Sequence, residues 1–499
     1  MLLICLIQLR QICCCKPYHY CNPFFIICYH APLAIPDDKT VTSQFSSLPI
    51  KPELLDNIEL LGYKEMTPIQ AQGLPVLLNG DDLLAQAKTG SGKTAAFGIG
   101  LLNKLEARDY HTQSLVLCPT RELADQVSNE IRRIARAVPN TKILTLCGGK
   151  PMNAQVASLE RNPHIVVGTP GRILKHLLKG TLNLDKLNTL VLDEADRMLD
   201  MGFLEDIMLI TDKMPRKRQT LLFSATYPEE IKHISGMVQR DPIEVRVETS
   251  HHNQQIKQAF YEVQRGQKTA ALIALLEHHS PESTLVFCNQ KQTCNDLCDE
   301  LWKHGFHACT LHGDLEQFER DQVLVQFANR SSSVLIATDV AARGLDIKEL
   351  AAVVNYELTP DPEIHVHRIG RTGRAGKDGL AVSLFYSGEQ FRVDAIAKYQ
   401  DSPANIENLS ALSTRENFKM SPPMTTLFIN GGRKDKIRAG DILGALTANT
   451  DLPGKLIGKI DIMDKIAYVA VERQVAKQAL SILTEGKIKG RTFRARALR

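Results

Sequence analysis

The chain has 499 residues, 43% of them apolar and 23% charged, with a formal net charge of +4. Its length is too great for one core and suits two to four domains of a soluble globular protein, and no run is long and apolar enough to predict a membrane-crossing helix. The charge is unevenly spread: residues 425–499 hold 15 Lys and Arg against 7 Asp and Glu, a net of +8, so the first 424 residues sum to −4. The C-terminal segment is the part of this chain that seeks a polyanion.

Six of the 12 cysteines fall within the first 28 residues. No CxxC pair occurs anywhere, which argues against a zinc site, and the other six, from Cys118 to Cys309, read as reduced, buried thiols of a cytosolic protein. The opening "MLLICLIQL" lacks a positive n-region and is too short to span a bilayer. Residues 1–42 are accordingly read as an extension outside the fold, disordered or, over residues 1–40, created by a misassigned start, with Val41 as the expected true first residue.

Over residues 43–250, short apolar runs ("SLVLCP", "IVVGTP", "TLVLDEAD", "TLLFSAT") alternate with amphipathic stretches such as Glu122 to Ala137. A second series ("TLVFCNQ", "VLIATD", "AVVNYE", "AVSLFY") fills residues 251–402. Both patterns predict parallel α/β units in tandem. The Pro, Ser and Asn content of 403–424 reads as a linker. Residues 425–499 then give strand, helix, strand, strand, helix, strand, the split-βαβ order that includes the RNA-recognition motif.

"AKTGSGKT", Ala87 to Thr94, lies where an apolar strand gives way to a helix, although a strict phosphate loop would have Gly in place of Ala87. Backbone N–H groups of Ala87, Lys88, Thr89, Gly90, Ser91 and Gly92 would cradle phosphates, with Lys93 reaching the β and γ groups and Thr94 ligating Mg²⁺. "VLDEADRM" places Asp193 and Glu194 at a strand tip about a hundred residues later, where one carboxylate can hold Mg²⁺ and the other can orient or deprotonate a water. An isolated acidic pair would be a solvated turn; following a phosphate loop in one α/β unit, it is not.

With these motifs the chain resembles the DEAD-box RNA helicases, from about Phe45 to Tyr399. The resemblance implies two tandem RecA-like P-loop domains followed by a small α+β RRM-like domain, an RNA-dependent ATPase, and ATP with Mg²⁺. It implies that Gln70 of "GYKEMTPIQ" reads the adenine edge while Tyr63 stacks on it, that Asp193 is the Mg²⁺ ligand and Glu194 the group acting on water, and that Asp196, Ser224, Thr226 and His367 couple nucleotide to RNA. Arg371 and Arg374 of "HRIGRTGR" are then arginine fingers, each such group being worth a rate factor of about 10³ to 10⁵, and Asp346 contacts the ribose. Arg121, Gly149, Thr169, Arg172, Arg320 and Thr338 are implied to hold the RNA backbone, contacts that carry little sequence information.

"GGRKDKIRAGDILGALT", "IGKIDIMDKIAYVAVE" and "GKIKGRTFRARALR" are similar to the DbpA-type RNA-binding domain of bacterial DEAD-box proteins directed to large-subunit ribosomal RNA. The implied partners are a 23S rRNA hairpin near the peptidyl transferase centre and pre-50S particles, in the cytoplasm, with neither membrane nor DNA. Contact is expected from Arg433, Lys434, Lys436, Lys487, Lys489, Arg494 and Arg496, the last two sharing one strand face opposite Phe493 and Ala495. Phe428 and Tyr468 either stack on bases or pack inside the module. The rival readings are a DEAD-box enzyme of another RNA pathway whose tail is a nonspecific tether, and a passive RNA scaffold, against which the intact Lys93, Asp193, Glu194, Arg371 and Arg374 argue.

Overall fold

The structure is a computed structural model that describes residues 43–498 apart from 88–89, 228, 248–255, 343–349, 374–378, 414–417, 419 and 449. The expected N-terminal extension lies outside the described residues.

The first sheet comprises β1 (Leu83–Gln86), β2 (Ser114–Leu117), β3 (Ile143–Leu146), β4 (Ile165–Gly168), β5 (Thr189–Leu192), β6 (Gln219–Ser224) and β7 (Ile243–Arg246) in the order β3-β4-β2-β5-β6-β1-β7. Every pairing is parallel. A parallel sheet is covered on both faces, so its central strands are apolar throughout instead of alternating. On β2 and β5, Val116 and Val191 enter one core while Leu115, Leu117, Leu190 and Leu192 enter the core on the opposite face.

The second sheet repeats the plan with β8 (Ile256–Glu262), β9 (Thr284–Cys288), β10 (Ala308–Leu311), β11 (Val334–Thr338), β12 (Ala352–Asn355), β13 (Gly379–Phe385) and β14 (Ile406–Glu407), in the order β10-β11-β9-β12-β13-β8-β14. Strand β14 corrects the expectation of a linker over 403–424. It pairs with β8 and completes the same seven-strand order as the first sheet, while Met420 bridges to Phe306 and is buried in the second domain's core. Two residues of strand are too few to show an alternation in sequence, and their polar surroundings read as loop.

The C-terminal module has β15 (Met424–Ile429), β16 (Ile457–Ile462), β17 (Ala467–Glu472) and β18 (Ala495–Ala497), antiparallel in the order β16-β17-β15-β18. Helices Ala439–Thr447 and Ala476–Glu485 cover one face, burying Leu427, Ile429, Val469 and Val471 against Ile442, Leu446, Ala479 and Leu483. Residues 467–471 of β17 are all buried, so its other face is covered as well. That cover is helix Gln317–Ala328 of the second domain, whose Val325 packs with Tyr468 and Leu498.

Candidate active site and nucleic-acid interface

Strands β5, β6 and β1 are neighbours, so the segments leaving their C-terminal ends meet at one point, where parallel α/β sheets hold ligands. From β1, the chain passes through Ala87, whose N–H donates to the Ser224 carbonyl at 2.9 Å, into the loop preceding helix Lys93–Lys104. Gly90 and Gly92 have φ of 86° and 96°, the left-handed region. A Cβ on Gly92 would lie 2.6 Å from Gln70 Nε2, so a side chain there is also excluded by space. Lys93 is buried and its Nζ donates to the Ala87 carbonyl at 2.8 Å, while the Ser91 hydroxyl is buried with no hydrogen bond. Lys88 and Thr89 lie outside the described residues; Thr94 is half-buried on the first turn of the helix.

Gln70 is 1% exposed and spans two segments: its Oε1 accepts from Thr67 N–H at 2.9 Å and its Nε2 donates to the Gly92 carbonyl at 3.1 Å. Tyr63 donates its hydroxyl proton to Glu130, accepts from Arg133 Nη2 at 2.8 Å and meets Phe45 edge to face. Burial first, then Glu130, pushes the Tyr63 phenol up to about 12.

At the tip of β5, Asp193 and Glu194 are each 3% exposed. Asp193 Oδ1 is buried with no hydrogen bond, and burial pushes its carboxyl up to about 6 against the opposing pull of Lys93. Glu194 adopts φ 53° as it begins helix Ala195–Asp200 and pairs with Arg197 at 3.0 Å. Asp196 Oδ2 accepts from Ala225 N–H, Thr226 N–H and the Thr226 hydroxyl at 3.0, 3.1 and 3.2 Å. Ser224 Oγ also accepts from Thr226 N–H, at 3.3 Å.

His367 and Arg371 of the second domain line one cavity of about 390 Å³ with Asp196, Arg197 and Thr226 of the first. Burial, then Arg197, lowers the His367 imidazole to about 4, so it is neutral at pH 7. Arg374 and Asp346 lie outside the described residues. Arg368, which the sequence did not single out, is 2% exposed and grips both Asp339 oxygens at 2.7 and 2.6 Å, as well as the Glu357 carbonyl at 2.7 Å. Its position in "HRIGRTGR", and that of Asp339 in "ATDVAARGLD", were the available signals.

A second cavity between the two domains, of about 500 Å³, gathers Arg121, Gly149, Thr169, Arg172 and Arg320. Thr338 ends β11 two residues before Val340, which lines the same cavity. Gly148 and Gly149 let Arg121 lie against their backbone, since a Cβ on Gly149 would sit 2.4 Å from Arg121 Nη1. Arg121 donates to Gln317 Oε1 at 2.7 Å, and Arg320 pairs with Glu122 at 3.0 Å, both across the domain boundary. Gln317 and Glu122 each lie within three residues of an arginine expected to hold RNA, but nothing in one sequence says that Gln317 faces Arg121 or that Glu122 faces Arg320. Arg172 donates to Gln155 Oε1 and the Lys150 carbonyl.

On the module, Arg433, Lys434, Lys436, Lys487, Lys489, Arg494 and Arg496 are all exposed. Two basic turns adjoin, because Lys489 Nζ donates to the Lys436 carbonyl at 3.1 Å. Phe493, Ala495 and Ala497 face the module core, leaving Arg494 and Arg496 outside, with Arg496 over the Phe428 ring at 5.0 Å.

The DEAD/DEAH box helicase family model matches residues 67–234, the helicase conserved C-terminal domain model residues 267–376, and the DbpA RNA binding domain model residues 426–497. The chain is 54% identical over 463 residues to the ATP-dependent RNA helicase DbpA of Escherichia coli (strain K12), covering 91% of this chain and 99% of that one. It is 45% identical over 341 residues to the DEAD-box ATP-dependent RNA helicase CshA of Geobacillus kaustophilus, covering 68% and 73%. Among solved structures it is similar to S. cerevisiae Dbp5 bound to RNA and ADP BeF3, with a TM-score of 0.67 and 32% identity over 74% of this chain and 96% of that one.

Proposed function

The chain belongs to the DEAD-box ATP-dependent RNA helicases, and on that premise we propose that its C-terminal module directs the motor to 23S rRNA for large-subunit assembly. The observation carrying the motor's chemistry is the meeting of Lys93, Asp193, Glu194 and the Asp196–Thr226 contact at three adjacent strand tips.

ATP would lie along the Gly90–Thr94 loop, its phosphates met by backbone N–H groups and Lys93. The buried, unpaired Asp193 Oδ1 suits a divalent cation, so Asp193 and Thr94 would hold Mg²⁺, which when bound neutralises phosphate charge. Glu194 takes a proton from the attacking water as the new P–O bond forms and the bond to ADP breaks. Arg371, with Arg374, stabilises the charge on the transferring phosphoryl group, which requires the two domains to close. Asp196 relays closure through Ser224 and Thr226, with neutral His367 packed alongside. RNA would lie across Arg121, Gly149, Thr169, Arg172, Arg320 and Thr338 through phosphate contacts that do not read sequence.

The module's net of +8 and its DbpA-type domain support the rRNA address. The test is steady-state ATPase activity with no RNA, with a generic single strand, and with a 23S fragment containing the peptidyl transferase hairpin. It is repeated on the full chain with Lys487 and Lys489 changed to Ala and on a chain ending before Thr425. Strong stimulation by the rRNA fragment alone, lost in the altered chains, is expected. Equal stimulation by every RNA would leave the motor intact and make the module a nonspecific tether.

A further inference from the structure

Two first-domain segments that line the cavity assigned to RNA, residues 148–149 and 169–172, follow the neighbouring strands β3 and β4. One buried side chain joins them. Gln155, on helix Met152–Leu159, is 5% exposed, and its Nε2 donates to the Cys147 carbonyl at 2.9 Å, just before Gly148 and Gly149. Its Oε1 accepts from Arg172 Nη1 at 2.9 Å and lies 3.0 Å from Nε2 of the fully buried His176. Arg172 and His176 stand four residues apart on helix Pro170–Leu178, a spacing that puts both side chains on one face. On the far side of the imidazole, Nδ1 is 2.9 Å from the Thr181 hydroxyl.

The direction of every bond follows from what the outer groups can do. A guanidinium only donates and a carbonyl only accepts, so Gln155 must turn its oxygen to Arg172 and its NH2 to Cys147. That oxygen cannot donate, so His176 carries its proton on Nε2 and presents Nδ1 to Thr181 as an acceptor. Burial first, then Arg172 and Lys179, lowers the imidazole, which keeps it neutral at pH 7. Arg172 also donates from Nη1 to the Lys150 carbonyl at 3.1 Å. Both of these Arg172 bonds use Nη1, so the Nε–Nη2 edge is the one offered to a phosphate, as two parallel donors in a fixed fork.

We propose that Gln155 and His176 are positioning residues for RNA: they aim the Arg172 guanidinium and fix the turn over residues 147–150, so one buried amide sets both parts of the first domain's RNA wall. This rests on the reading of Arg172 and Gly149 as RNA contacts. Neither residue belongs to the phosphate loop or to the turn from Asp193 to Asp196, so the network serves RNA and not ATP.

The test measures binding of a fluorescent poly-U strand to the full chain with a non-hydrolysable ATP analogue present, alongside the steady-state ATP KM. Gln155→Ala is expected to weaken RNA binding about tenfold, the scale of a lost hydrogen bond to a charged group, and to leave the ATP KM within about twofold. A merely loosened domain would move both. His176→Leu is expected to weaken RNA binding about fivefold, and His176→Gln, whose Nε2 can still donate to Gln155, to restore it to within about twofold of the parent. Arg172→Ala is expected to lose about tenfold, and combining it with Q155A to lose far less than the roughly hundredfold that independent effects would give. Circular dichroism checks each fold, and if Q155A does not fold, the comparison of H176L with H176Q decides. Weakened binding in R172A with parental binding in Q155A and H176L would overturn the positioning role and leave the RNA wall standing. Undiminished binding in R172A would refute the RNA role of Arg172 itself, and the proposal with it.

Discussion

Asp193 is a carboxylate held where it is costly to ionise. Its pKa of about 6 lies above the unfolded value, so its contribution to stability is complete below about pH 4 and is lost as the pH rises through 6. Asp193→Asn removes that loss. The nucleotide-free variant is expected to be more stable than the parent by about 1–3 kcal/mol at pH 8 and equal to it near pH 4, measured by urea unfolding, while its ATPase activity disappears. Protons also compete with a cation for this carboxylate, so Mg²⁺ binding should weaken as the pH falls through 6. Glu194→Gln keeps the shape but accepts no proton: turnover should fall by at least about 100-fold while ATP-dependent RNA clamping persists. Undiminished ATPase activity in this variant would refute the role given to Glu194.

At the scale of elements, strand ends aim the chemistry and glycines set how closely backbones approach. Gly149 combines φ 77° with a would-be Cβ 2.4 Å from Arg121 Nη1. Gly149→Ala should cost about 1–2 kcal/mol in backbone conformation and displace the Arg121 guanidinium. Lower RNA affinity with an unchanged ATP KM is the expected pattern in equilibrium binding and steady-state assays. Arg368 is the corresponding internal brace in the second domain. Its bidentate grip on Asp339 ties helix Pro362–Ile369 to the tip of β11, so Arg368→Lys, which lacks the planar fork, should lower thermal stability as well as activity.

Across the whole molecule, helix Gln317–Ala328 touches the first domain at its start and the module along its length. The Arg320–Glu122 pair is partly buried, with both side chains 13% exposed, so it is screened less than a surface pair. Glu122→Gln should loosen this contact between the two domains, read as lower energy transfer between dyes placed on them. RNA affinity should fall with salt, and each phosphate-contacting Lys of the module changed to Ala should reduce the slope of log K against log salt by about 1. A Lys whose removal leaves that slope unchanged does not touch phosphate.

The local chemistry was written in contiguous residues. "AKTGSGKT", "VLDEADRM" and "HRIGRTGR" announce phosphate binding because a glycine loop, a strand-tip carboxylate pair and an arginine cluster each work over a few neighbouring positions. The two parallel sheets were legible for a similar reason: strands buried on both faces are apolar throughout. Strand β14 was not, because two residues are too short to carry a period. Nor could the sequence choose between stacking and packing for Phe428 and Tyr468, since an aromatic on a sheet face looks the same whether RNA or a helix covers it. That choice, the Arg121–Gln317 and Arg320–Glu122 contacts, and the convergence of β1, β5 and β6 were decided by tertiary structure alone. Each depends on surfaces tens to hundreds of residues apart burying one another, a relation that no local pattern of residues encodes.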